Sequence, residues 1–131
     1  MAAEALAAFW LLLMALAGSA PQTADPGQRA FQRCAACHSL GPDDVAMPAP
    51  HLTDVFGRRA GAVPGFAYSD AMRAAGRRGL IWDGPTLDRY LADPEAVVPG
   101  TAMPYQGGSA AERAALIDWL GRSTGPARNG M

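Results

Sequence analysis

Cys34-Ala35-Ala36-Cys37-His38 sets two thiols three positions apart and an imidazole directly after the second. On one helical turn both sulfurs can reach the vinyl groups of a single porphyrin and form thioethers. The imidazole of His38 then lies under the ring, aimed at the iron. A redox C-x-x-C would sit beside a βαβ pattern, which this chain lacks. A zinc ribbon would need a second pair of thiolates, yet there are only two cysteines, and the other histidine is His51. The pentapeptide therefore predicts one haem c, bound covalently through Cys34 and Cys37.

Composition agrees with a prosthetic group. The 131 residues suit one domain plus a targeting segment. With 15 Gly and 11 Pro, the chain is rich in loops and poorly placed to build a large core from its own side chains. A buried haem would supply the missing apolar mass. The 11 basic residues, all Arg, nearly balance 12 acidic ones, which argues against nucleic-acid binding.

Leu6 to Ala17 is a dense apolar run followed by the small residues Gly18-Ser19-Ala20. Residues 1–20 read as an export signal peptide or, if uncleaved, an N-terminal membrane anchor through residues 6–17. The run is short for a full span, which needs about 20 residues. No Lys or Arg precedes it, and Pro21 follows the cleavage zone, so both alternatives stand. Residues 21–26 read as a linker, 27–122 as the folded domain and 123–131 as a tail.

Within that domain the pattern predicts an all-α fold of about four helices joined by long loops. Asp25 and Pro26 mark the start of a first helix that carries the pentapeptide. A short helix from Ser69 through Ala75 should end at Gly76, with Arg77 to Ile81 as a linking loop. Asp83 caps a third, whose Leu87, Tyr90 and Leu91 share one face, and Asp93-Pro94 ends it. Ser109 with Glu112 forms a capping box for the last helix, whose buried side is Leu116, Ile117, Trp119 and Leu120. No strand pattern stands out.

His38 supplies one axial ligand, and the candidates for the other are Met47, Met72, Met103 and His51. Met103 is set apart by its Pro- and Gly-bounded loop, Pro99-Gly100-Thr101-Ala102-Met103-Pro104, which can present a side chain rigidly. A thioether favours ferrous iron compared with a second imidazole. Met47 also has proline neighbours but lies soon after His38. His51 remains the bis-imidazole alternative.

From about Gly27 to Leu120 the chain resembles class I cytochrome c, of the mitochondrial and short bacterial type. The resemblance rests on Cys34-Ala35-Ala36-Cys37-His38, Pro50, Phe56-Gly57-Arg58, Gly65-Phe66-Ala67-Tyr68-Ser69-Asp70-Ala71-Met72, Trp82, Tyr90-Leu91, Pro94 and Pro99-Gly100-Thr101-Ala102-Met103. It implies the cytochrome c fold wrapped around one covalent haem, with His38 and Met103 as the iron ligands. It also implies that the Pro50 carbonyl accepts from the His38 ring. Arg58, Tyr68 and Trp82 would hold the propionates, with Tyr90 and Thr101 on the Met103 side, and Phe31 would pack on Leu116 and Trp119. Two departures matter. Ala74 to Leu80 reads as a loop extension of about three residues relative to the family pattern. The family's ring of Lys is absent, with Arg29, Arg33, Arg73, Arg77 and Arg78 opposed by Asp43, Asp44 and Asp54.

The resemblance implies a one-electron carrier, not an enzyme, working in the periplasm of a bacterium. Its redox partners would be membrane complexes such as a cytochrome bc-type complex, a terminal oxidase or a photosynthetic reaction centre. The alternative is a membrane-tethered haem subunit of a larger oxidoreductase. A distant alternative is a haem enzyme or sensor with a labile Met103.

Overall fold

Asp25 starts the first helix: its carboxylate accepts from Gly27 N at 2.8 Å, and Pro26 occupies the first helical position, where a missing N–H costs nothing. In the computed structural model, which describes residues 23–42, 47–105 and 107–124, this helix α1 is Pro26–Ala35. The apolar run at 6–17 and the tail from 125 lie outside the described residues. No helix among those described is long and apolar enough to cross a membrane.

Four more helices follow: α2 Asp70–Arg77, α3 Gly84–Ala92, α4 Pro94–Val97 and α5 Ala110–Thr124. The expected number was about four. The extra helix, α4, arises because Asp93 both stops α3 and restarts the chain, its carboxylate accepting from Ala96 N with Pro94 in the first position. α5 continues past residue 122 to Thr124, which is buried and donates its hydroxyl to Leu120 O.

The turn after α2 corrects a second expectation. Ser69 caps the helix as read, accepting from Met72 N at 3.2 Å, but α2 runs through Gly76 to Arg77. Gly76 is a contact point instead. A Cβ there would overlap the carbonyl oxygen of Ala60, so the helix lies directly on that backbone. The chain turns at Gly79, at φ +92°, which donates to Gly76 O while Leu80 N donates to Ala75 O. These two bonds form a Schellman ending, which needs the left-handed residue glycine supplies. Much of the expected extension loop is thus helix.

From this turn the chain enters an isolated antiparallel bridge between Ile81 and Arg59, the sole β pairing among the described residues. Ala60 N donates to Leu80 O at 2.9 Å and Trp82 N to Arg58 O at 2.9 Å. α1 and α5 pack with Phe31 and Trp119 ring centroids 5.0 Å apart and Leu116 only 1% exposed. One core cluster gathers there, around Phe31, Leu91, Leu116 and Leu120. Another gathers around Val55, Trp82, Tyr90 and Val98. Leu52, Phe56, Met103 and Ile117 touch both.

Candidate functional site

The pentapeptide closes α1. Cys34 is its penultimate residue, and the N–H groups of Cys37 and His38 both donate to Cys34 O, at 3.0 and 2.8 Å. The chain therefore keeps turning as it leaves the helix, bringing both thiols and the imidazole onto one tight bend. Neither cysteine is in a disulfide. Burial pushes the Cys34 thiol up from its ordinary value, so it stays protonated near neutrality.

The loop after the bend is tied back to it. Leu52 N donates to Ser39 O, Ala49 N to Cys37 O, and the Thr53 hydroxyl to Leu40 O. These ties bring Pro50 under His38, whose Nδ1–H donates to the Pro50 carbonyl at 2.7 Å. That bond fixes the ring's tautomer and leaves Nε2 as a free lone pair. Burial pulls the His38 pKa down, against the opposing Pro50 bond, and so favours the neutral, ligating form.

Met103 sits past a second turn. Thr101 N donates to Val98 O at 2.9 Å across Pro99-Gly100, with Gly100 at φ +82°, the arrangement of a type II turn. Glu95 adds a carboxylate oxygen that accepts from Gly100 N at 2.6 Å. Thr101 Oγ1 lies 2.7 Å from Tyr90 OH and accepts from Met103 N at 3.4 Å. Met103 is half-buried and touches both core clusters. Met72 packs on one cluster only, and Met47 is not part of either.

The remaining candidates are placed as follows. Arg58 is half-buried and donates from Nη1 to Thr53 O at 3.0 Å; burial pulls its pKa down, opposed by Tyr68 and Asp54. Tyr68 is nearby, its hydroxyl oxygen accepting from Val63 N at 3.1 Å. Trp82 is buried with its ring centroid 5.0 Å from that of Tyr90. His51 buries an Nδ1 that has no partner among the described residues. Thr53, which braces both Leu40 and Arg58, was not foreseen, and no motif in the sequence marks it.

The donor set fits a haem c. Two unpaired thiols, an imidazole with only Nε2 free, a braced thioether and a half-buried guanidinium with a single carbonyl acceptor suit the two vinyls, the iron and a propionate. Among the described residues no three His, Cys, Asp or Glu side chains converge as a metal cage.

The family described as Cytochrome c matches residues 24–124. The chain is 43% identical over 110 residues to the cytochrome c2 of Rhodomicrobium vannielii, covering 82% of this chain and 86% of that one. To the cytochrome c2 of Blastochloris viridis it is 38% identical over 98 residues, 75% of each chain. Among solved structures, cytochrome c2 from Rhodospirillum centenum matches with a TM-score of 0.70 at 34% identity, covering 76% of this chain and 98% of that one. Cytochrome cH from Methylobacterium extorquens matches at 0.64 and 36%, covering 74% and 95%.

Proposed function

The chain belongs to the cytochrome c family, and from that premise we propose which of its residues hold the haem and where its electron travels. It is a one-electron carrier with covalent haem c, not an enzyme. The bound haem supplies an iron that gains or loses a single electron. Cys34 and Cys37 would hold the haem covalently as thioethers to its two vinyl groups, each thiol adding across a double bond with no oxidant required. His38 Nε2 would ligate the iron, oriented and made more basic by Pro50. Met103 sulfur would be the second iron ligand. Arg58, Tyr68 and Trp82 would hold the propionates, and Tyr90 with Thr101 would brace the Met103 side.

The observation that carries this reading is the 2.7 Å bond from His38 Nδ1–H to Pro50 O, on a bend shared with two unpaired thiols. It leaves the ring one ligating atom. The preference for Met103 over Met47 and Met72 rests on its contact with both core clusters and its tie to Thr101. The partners are redox proteins, and within that class we assign membrane electron-transfer complexes such as a cytochrome bc-type complex, a terminal oxidase or a photosynthetic reaction centre. The working place is the periplasm, with residues 1–20 as the export segment.

The test is the near-infrared methionine-to-iron charge-transfer band of the oxidised, haem-loaded protein. It should be present in the wild type and absent in Met103→Ala. A low-spin wild type without the band would hand the position to His51. A high-spin one would replace the carrier mechanism with an open iron.

A further inference from the structure

Residues 104–108 lead the chain from Met103 towards α5, and among the described residues few hydrogen bonds hold them. Pro104 has no N–H to give, and Tyr105 N turns inward to Met103 O at 3.0 Å. A single bond ties the stretch to a helix: Arg113 Nη1 donates to Gly108 O at 2.8 Å. The same guanidinium donates from Nε to Asp88 Oδ1 of α3, also at 2.8 Å. A Cβ on Gly107 would overlap Leu91 O, so the stretch presses on the end of α3 there. The other side of Met103 is held differently, by Thr101 N on Val98 O, Gly100 N on Glu95 and the hydroxyl pair of Thr101 and Tyr90. Several bonds secure that side, and one secures this.

We propose that Arg113 and Asp88 are positioning residues for Met103: by fastening Gly108 to α3, the pair sets how readily the thioether yields its place on the iron to another ligand. This role rests on Met103 as the second iron ligand. The Arg113 side chain is only 17% exposed, so its charge depends on both acceptors. Without Asp88 it keeps one neutral carbonyl, and a largely buried cation with so little compensation is drawn towards water. Gly108 then loses its hold, because no other hydrogen bond among the described residues ties residues 104–108 to a helix. A ligand that competes with Met103 binds only the open form, so its apparent affinity reads the open fraction. An ion pair that served the fold alone would change unfolding and leave that fraction as it was.

The test is an imidazole titration of the ferric, haem-loaded full chain at mildly alkaline pH, where imidazole is uncharged. Loss of the methionine-to-iron band reports binding. Asp88→Ala should bind imidazole about tenfold more tightly than the wild type. Asp88→Asn, which keeps an oxygen for Nε without the charge, should fall between the two. Asp118→Asn, which cuts an exposed ion pair with Arg122 further along α5, should match the wild type. In the wild type itself, added salt should tighten imidazole binding, because Asp88 is 46% exposed and its attraction is screened. Asp88→Ala should lose that salt dependence. Denaturant unfolding of the same proteins separates stability from opening. An Asp88→Ala protein that unfolds more easily yet binds imidazole as the wild type does would overturn the proposal, and so would wild-type binding indifferent to salt. A wild type without the band would instead remove the Met103 assignment, and the role of the pair with it.

Discussion

Thr101 Oγ1 holds together the two sides of the Met103 loop, within 2.7 Å of Tyr90 OH and accepting from Met103 N at 3.4 Å. Removing either member of the hydroxyl pair has a different consequence. In Tyr90→Phe the ring keeps its packing on Trp82, and Thr101, half-buried, still accepts from Met103. The loss is then one ordinary hydrogen bond, about 1 kcal/mol of unfolding free energy. In Thr101→Val the buried Tyr90 hydroxyl is left without a partner and Met103 N loses its acceptor. Roughly 1–3 kcal/mol should go, and the larger of the two effects should be this one. Denaturant unfolding of both haem-loaded variants checks the order; equal costs would mean that Thr101 does not serve both neighbours. These residues were legible because they recur as a motif string, Tyr90-Leu91 and Pro99 to Met103. The buried Nδ1 of His51 was not, since nothing in a lone histidine beside Pro50 says which of its nitrogens the loop will enclose.

At the scale of the element, two glycines three positions apart carry opposite duties, and the sequence does not tell them apart. Gly76 reads as a helix stop because glycine after an alanine-rich run usually is one. It is instead where α2 meets the Ala60 backbone, while Gly79 makes the turn. The distinction depends on a tertiary contact between segments some sixteen residues apart, which no local pattern encodes. The same holds for α4: Asp93-Pro94 carries both a stop signal and a start signal, and the structure uses both. A paired substitution separates packing from propensity. Gly76→Ala gains helix propensity of about 1 kcal/mol yet must push α2 off a backbone that cannot move like a side-chain end, so a net loss of about 1–3 kcal/mol is expected. Gly84→Ala, in the first turn of α3, meets nothing nearer than Ile117 Cγ2 at 3.9 Å, so its cost should be confined to the strain of a Cβ before Pro85 and stay below that of Gly76→Ala. Thermal unfolding of the two side by side decides it, and a stabilised Gly76→Ala would remove the close contact from the account.

Across the whole molecule, α1 and α5 close the fold, and a charge tie stands at either end of their apolar contact. Arg122 reaches Asp25 at 2.9 Å, and Arg33 lies 3.7 Å from Glu112. The apolar seam was legible from helical periodicity, whereas the tie was not, because its partners are 97 positions apart. Asp25 does two things at once: it caps α1 through Gly27 N and faces the Arg122 guanidinium. Arg122 first, and the Gly27 bond second, hold its carboxyl below the usual range. A depressed carboxyl stabilises the fold above its unfolded pKa, and that contribution is lost as pH falls through the folded one. Asp25→Asn keeps a good capping oxygen but removes the charge, so it isolates the Arg122 part. The stability gap between wild type and Asp25→Asn should be full at neutral pH and begin to close in the ordinary carboxylate range. It should vanish once Asp25 is protonated. High salt should narrow it at neutral pH, since Arg122 is largely exposed and Asp25 partly so. Both proteins carry the same haem and the same ligands, so acid effects on the iron cancel in the difference. A gap that stays constant into acid would mean that capping geometry, and not the charge on Asp25, joins the two ends of the chain.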